Sequence, residues 1–169
     1  MSETTPHHVT TAHLTGFGRV AFQWANVEAV MIHVLSAMME MEEIHALLAF
    51  HRSGYNDKRD LLRSLVDMLE ISEDTQKEFN CLIVRLNAAY QIRNYVCHGV
   101  WSQGEQPGVI VPYVMKARGK IKLSGYNISE ERFSAERLDA EAEKTRRLGL
   151  DLIEFASRYL EYRPENTSV

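Results

Sequence analysis

The sequence predicts a mainly α fold, an antiparallel four- to five-helix bundle with a small β-hairpin or three-stranded antiparallel insertion between its last two long helices. Two patterns and one constraint predict it. Apolar residues advance by threes and fours through long segments, the period of an amphipathic helix. Short connections between those segments favour antiparallel neighbours. Between about residues 99 and 128 the period changes, and Val109 to Met115 reads as a strand bounded by turn residues. With 169 residues, 45% of them apolar and 25% charged, the chain is long enough to bury one core. The expected organisation is an arm over 1–12, a helical domain over 13–162 with the β insertion at about 99–128, and a tail over 163–169.

The arm is polar and Thr-rich, and His7 and His8 read as solvated tail. From Phe17 the positions Val20, Trp24, Val27, Met31, Val34 or Leu35 and Met38 form one seam, with Glu28 and His33 off it. A short second helix over about 40–50 is expected to end at Gly54 in the left-handed conformation. Asn56 or Asp57 then caps a third, whose apolar face is Leu61, Leu62, Leu65, Val66 and Leu69. Ser72 caps a fourth helix that runs to Val96 or Cys97, and Gly99 stops it. Val100-Trp101, Val109 to Met115 and Ile121 to Leu123 are the candidate strands, the last two around a turn at Arg118-Gly119. Ser134 caps the last helix, with Leu138, Ala142, Thr145, Leu148, Leu152, Phe155 and Tyr159 on its seam.

Composition narrows the function classes. A formal charge of −4 argues against non-specific coating of nucleic acid, which rests on phosphate neutralisation by many basic groups. Cys81 and Cys97 lie on one helix and cannot bridge, so a reducing cytoplasm is expected, with no membrane-spanning run and no leader. Without a glycine-rich phosphate loop an NTPase is disfavoured. Glu42-x-x-His45 has the spacing of a di-iron carboxylate bundle, but Val30, Leu48 and Tyr95 stand where a second motif needs glutamate, so neither a metal nor another cofactor is expected. Cys97 beside His98 suggests a nucleophile, yet helix neighbours point about 100° apart. The seven Met residues read as core filling.

The end of the fourth helix is different. If Phe79 sets the zero of the wheel, Leu82, Ile83, Leu86, Ala89, Tyr90 and Val96 share a stripe, and Arg93 falls inside it. A charge on an apolar stripe is costly unless paired. Arg93 is followed by Asn94 and, after a gap of four, by His98. An Arg, a polar residue and a His at the end of a penultimate long helix resemble the motif of the HEPN superfamily (higher eukaryotes and prokaryotes nucleotide-binding domains). The segment Asp57-Lys58-Arg59-Asp60-Leu61-Leu62 is also similar to bacterial HEPN-like proteins. The resemblance covers the helical frame from about residue 15 to 160, apart from the insertion, and so implies a HEPN-like bundle.

That resemblance implies a metal-independent endoribonuclease cleaving RNA by 2′-hydroxyl attack, a toxin or defence component that works as a homodimer beside an antitoxin or other protein partner. The residue types suit the chemistry. Histidine serves as acid or base near neutral pH, and arginine offers a planar fork to phosphate oxygens. On an intact helix Arg93 and His98 point about 140° apart, so convergence calls for a loosened helix end or a second chain. One histidine cannot be base and acid at once, which also favours a dimer. Lys116, Arg118, Lys120 and Lys122, in a stretch free of acids at the predicted hairpin tip, are candidate substrate contacts on RNA phosphates. The alternative is a non-catalytic HEPN-like module binding a protein or nucleic-acid partner, in which Arg93 pairs with Glu28 or another acid and His98 closes the helix. Trp101 is expected to pack on the bundle rather than on a base, and Tyr90 and Tyr95 in core or interface.

Overall fold

The structure, a computed structural model, describes residues 9–114, 127–128 and 131–161. Among these the chain is mainly α: α1 (Thr11–Met38), α2 (Glu43–Phe50), α3 (Tyr55–Asp67), α4 (Glu73–His98) and α5 (Ala135–Glu161). Between α4 and α5 lie β1 (Val100–Gln103), β2 (Ile110–Val114) and β3 (Asn127–Ile128), an antiparallel sheet in the order β1-β2-β3. The strand expected at Ile121–Leu123 and the turn at Arg118-Gly119 lie outside the described residues, as do His7 and His8. The chain divides into two compact units, Met1–Trp24 with Ala89–Lys144, and Ala25–Ala88 with Thr145–Val169.

In the first unit Val20, Ile92, Ile110, Phe133, Leu138 and Ala142 form a buried core, edged by Val9, Phe17, Tyr95, Val96 and Trp101. β1 pairs with β2 from Val100 opposite Tyr113 to Gln103 opposite Ile110. Proline cannot donate to a ladder, so Pro112, opposite Trp101, brings no N–H to the sheet; among the described residues β3 pairs with Tyr113 and Val114. Ile110 and Phe133 exchange backbone hydrogen bonds at 2.8 and 2.9 Å, which ties the strand to the entrance of α5. Ser134 caps that helix as expected, its Oγ accepting from the Arg137 N–H at 3.2 Å. Glu136 in the first turn is held below the usual carboxylate range by its own backbone N–H and then by Ser134.

Helix α1 begins at Thr11, not Phe17, because its seam continues one turn earlier through a buried histidine. The Thr10 backbone N–H donates to His13 Nδ1 at 3.2 Å, which leaves the proton on Nε2, and Nε2 donates to the Gly108 carbonyl at 3.0 Å. The loop between β1 and β2 is thereby fastened to the start of α1. Gly16 allows a close approach to α5, since a Cβ there would lie 2.6 Å from Leu138 Cβ. By length and composition alone α1 also reaches what a bilayer span requires, contrary to the sequence expectation, but 39% of its most apolar window is buried within the protein.

The second unit buries the other stripes: Val27, Met31, Val34 and Leu35 of α1, Leu62 and Val66 of α3, Phe79, Leu82, Ile83 and Leu86 of α4, and Leu148, Leu152 and Phe155 of α5. Here α4 and α5 run antiparallel, since Glu78 meets Arg158 at 2.5 Å and Arg85 meets Asp151 at 2.6 Å, with the Phe79 and Phe155 rings 5.5 Å apart between them. These ion pairs are about half exposed, where such pairs contribute roughly 0–1 kcal/mol each. Apolar burial carries the contact.

Two helix ends differ from expectation. Gly54 is extended, with φ −68° and ψ 167°, and serves as the N-cap of α3 rather than the left-handed end of α2. Asp57 contributes from the third helical position instead of the cap, its Oδ2 accepting from the Gly54 N–H at 3.1 Å. The left-handed residue is Glu40, at φ 54°, after α1. Met41 donates to the Ser36 carbonyl at 2.9 Å and Glu40 to Ala37 at 3.3 Å, the pattern of a Schellman closure. Ser72, by contrast, caps α4 as expected, accepting from the Thr75 N–H at 3.2 Å.

The contrast between two glycines in one helix is directly measurable. Nothing lies within 4 Å of a Cβ at Gly18. Gly18→Ala is expected to raise stability by about 0.5–1 kcal/mol through helix propensity, and Gly16→Ala to lower it by about 1–3 kcal/mol through overpacking on Leu138. Urea unfolding of the two variants beside the parent checks both signs.

Candidate functional site

The last turn of α4 presents two faces. Ile92 is buried, and Tyr95 and Val96 pack on the core of the first unit. Tyr95 lies 6.1 Å from the Phe133 ring, which also takes Trp101 edge-on at 5.4 Å, and Trp101 stacks on Phe17 at 4.8 Å. Trp101 therefore packs inside the protein, as expected. The guanidinium of Arg137 covers Phe133 at 4.4 Å and pairs with Glu131. These aromatic contacts hold the helix end and β1 against one another. Gly99 makes the switch from helix to strand: its N–H closes on the Tyr95 carbonyl at 2.8 Å, and a Cβ would collide with that same oxygen.

On the other face the three motif residues meet. Arg93 and Asn94 are half-buried and His98 is exposed. Arg93 Nη1 donates to Asn94 Oδ1 at 3.2 Å and to His98 Nε2 at 3.0 Å. Of the two routes to convergence, the loosened helix end is not taken, because α4 remains helical through His98. Five residues advance about 7.5 Å along the axis, a distance that a long, flexible arginine can cover despite the angular offset. Within this one chain the contact forms without a second copy. The stripe itself turns at Ile92, which takes the buried position that the wheel assigned to Arg93. Glu28, in the second unit, lies 3.8 Å from the buried Lys58.

The contact defines a protonation pattern. Arginine has donors only, so Nε2 of His98 must present its lone pair, and in the neutral ring the proton sits on Nδ1. The cluster thus holds a fixed cation, an amide and a histidine within hydrogen-bond distance at an exposed helix end. Such a set can bind an anionic oxygen and move one proton.

The remaining candidates are dispersed or lie beyond the described residues. Lys116, Arg118, Lys120 and Lys122 all fall outside them. The segment Asp57 to Leu62 has local structural partners in the second unit: Asp57 on Gly54, Lys58 on Glu28, and Arg59 on Asp60 at 2.8 Å and Asn87 at 3.0 Å. The hydrogen bond to Asp60 raises the pKa of Arg59 above its ordinary value. Tyr55 donates to the same Asn87 oxygen at 2.8 Å. Tyr90 is half-buried, its ring 5.6 Å from Trp24. Cys81 and Cys97 are exposed free thiols. Glu42 and His45 are exposed and 3.9 Å apart, and among the described residues no three His, Cys, Asp or Glu side chains gather as a metal site. A shallow cleft of about 180 Å³ lies in the second unit, between the ion pairs of Arg85 and Arg158. The residue that sequence reasoning missed is His13, whose signal was its place four residues before Phe17 on the α1 seam. No family model, no curated protein and no solved structure matches this chain.

The tautomer is open to measurement. Long-range ¹H–¹⁵N spectra are expected to show neutral His98 protonated on Nδ1, the minority form of free histidine. Arg93→Ala is expected to return it toward the Nε2–H form, and an Nε2–H ring in the parent protein would refute the contact.

Proposed function

We propose that this protein is a metal-independent endoribonuclease of the HEPN type, a cytoplasmic toxin or defence component that cleaves RNA at Arg93, Asn94 and His98. The reading rests on one observation, the approach of Arg93 Nη1 to His98 Nε2 at 3.0 Å beside Asn94 on an exposed helix end. No other cluster among the described residues combines a histidine and an arginine in this way with a face open to substrate.

In the proposed reaction a phosphate oxygen replaces His98 as the acceptor for Arg93. This exchange frees the Nε2 lone pair at the moment a base is needed. His98 then takes the proton of the 2′-hydroxyl as its oxygen attacks the adjacent phosphorus. Arg93 holds the equatorial oxygens as negative charge develops, where a preorganised donor acts most strongly. The bond from phosphorus to the 5′-oxygen breaks, and that oxygen leaves with a proton from an acid. The products are a 2′,3′-cyclic phosphate and a free 5′-hydroxyl. Asn94 orients Arg93 through its Oδ1. A second copy of the chain supplies the second histidine as acid, which makes the active species a homodimer. Lys116, Arg118, Lys120 and Lys122 add phosphate contacts by charge. An antitoxin or other protein partner would act by covering the same helix end.

One observation favours the alternative of a non-catalytic HEPN-like binding module: the lone pair that a base requires is already taken by Arg93. Incubating the purified protein with total RNA in EDTA separates the two. The expected result is cleavage in chelator, with His98→Ala reducing the rate by about 10²–10⁴ and Arg93→Ala by about 10²–10³. Intact RNA with the parent protein would eliminate the ribonuclease, and equal cleavage by the folded variants would eliminate Arg93 and His98 as its catalytic residues.

A further inference from the structure

Helix α2 is almost wholly apolar, yet of its eight residues only Ala46 is buried. Ile44, Leu47 and Leu48 are 59%, 46% and 65% exposed. With His51, the residue that closes the helix, they recur at i, i+3, i+4 and i+7, which is one stripe of a helix and the pattern of a helix–helix seam. An apolar helix in a folded protein ordinarily faces a core, and a contiguous exposed apolar patch of this kind marks an interaction surface. This stripe faces solvent.

We infer that α2 is a self-association surface, and that its occupant is α2 of a second copy of this chain, packed antiparallel across a two-fold axis. The ends of the helix argue for that occupant. Glu42 and Glu43 are exposed at its start, and Arg52 is exposed just past its end. A parallel pair would set acid on acid and base on base. An antiparallel pair brings Arg52 of each copy to the acidic start of the other, while Leu47 and Leu48 cross at the centre. A two-fold contact is isologous, so one surface satisfies itself without a separate partner. The patch is small beside the roughly 800 Å² per partner of a stable interface, which makes the association weak and concentration-dependent. This surface belongs to the second unit and is independent of the ribonuclease reading.

Sedimentation equilibrium over a micromolar-to-millimolar series tests it, with circular dichroism as the control for folding. The parent protein is expected to show a monomer–dimer equilibrium. Leu47→Glu with Leu48→Glu should raise its dissociation constant about tenfold or more. Glu43→Arg alone and Arg52→Glu alone should each weaken it, and the two together should restore it. That rescue has no source in helix stability, because both reversals oppose the helix dipole. A strictly monomeric parent would overturn the inference. So would a dimer indifferent to all of these changes, which would leave a pairing through the Arg93–His98 face standing. A loss of cleavage with unchanged self-association would bear on the ribonuclease reading alone.

Discussion

A guanidinium carries five donors and no acceptor, so the surroundings of Arg93 have to present lone pairs to it. That constraint orders the end of α4. It turns the carbonyl oxygen of Asn94 toward Arg93 and makes Nε2 of His98 an acceptor. The same turn of helix must also face the core, and it does so through Ile92, Tyr95 and Val96. One helical turn therefore separates an apolar side that anchors from a polar side that is free to meet a ligand. Phe17, Trp101 and Phe133 stiffen the anchored side, and Gly99 ends the helix where no larger residue would fit against the Tyr95 carbonyl. Any chemistry at His98 inherits its geometry from that packing.

The second unit uses charge differently. Its ion pairs along α4 and α5 lie at the surface, where water screens them, and the apolar stripes beneath do the holding. Lys58 is the exception, buried and set beside Glu28. Glu28 is partly exposed, so the cost falls on one side: losing it would leave the buried Lys58 ammonium without that counter-charge. Lys58 and Arg59 lie in the segment that adds to the resemblance carried by Arg93, Asn94 and His98, and both are engaged in holding α3 to its neighbours. In this segment the charged side chains are spent on packing and local pairing.

Features governed by a few neighbouring residues were legible in the sequence. The serine caps at Ser72 and Ser134 were, because a hydroxyl bonds an N–H only three positions away. The seams of α1, α4 and α5 were, because a stripe follows from period alone. Gly54 misled because glycine suits extended and left-handed backbone almost equally, and the left-handed position fell to Glu40, where the hydrogen bonds of the Schellman closure outweigh side-chain crowding. His13 was overlooked because a histidine at the edge of a polar arm looks solvated until the Gly108 carbonyl, ninety-five residues away, accepts from it.

The site divides along the same line. The sequence by itself determined that a long helix would end at Gly99 and that an arginine, an asparagine and a histidine would sit in its last turns, since period and stop signals are local. It also determined that Asn94 and His98 would share a face. Only the tertiary structure decided which residue of that turn the core would take. By burying Ile92 it left Arg93 half-exposed, with a side chain long enough to cross a helical offset that the wheel treats as a barrier. The physical reason is that a wheel records where a side chain starts, whereas packing and length decide where its charged end arrives.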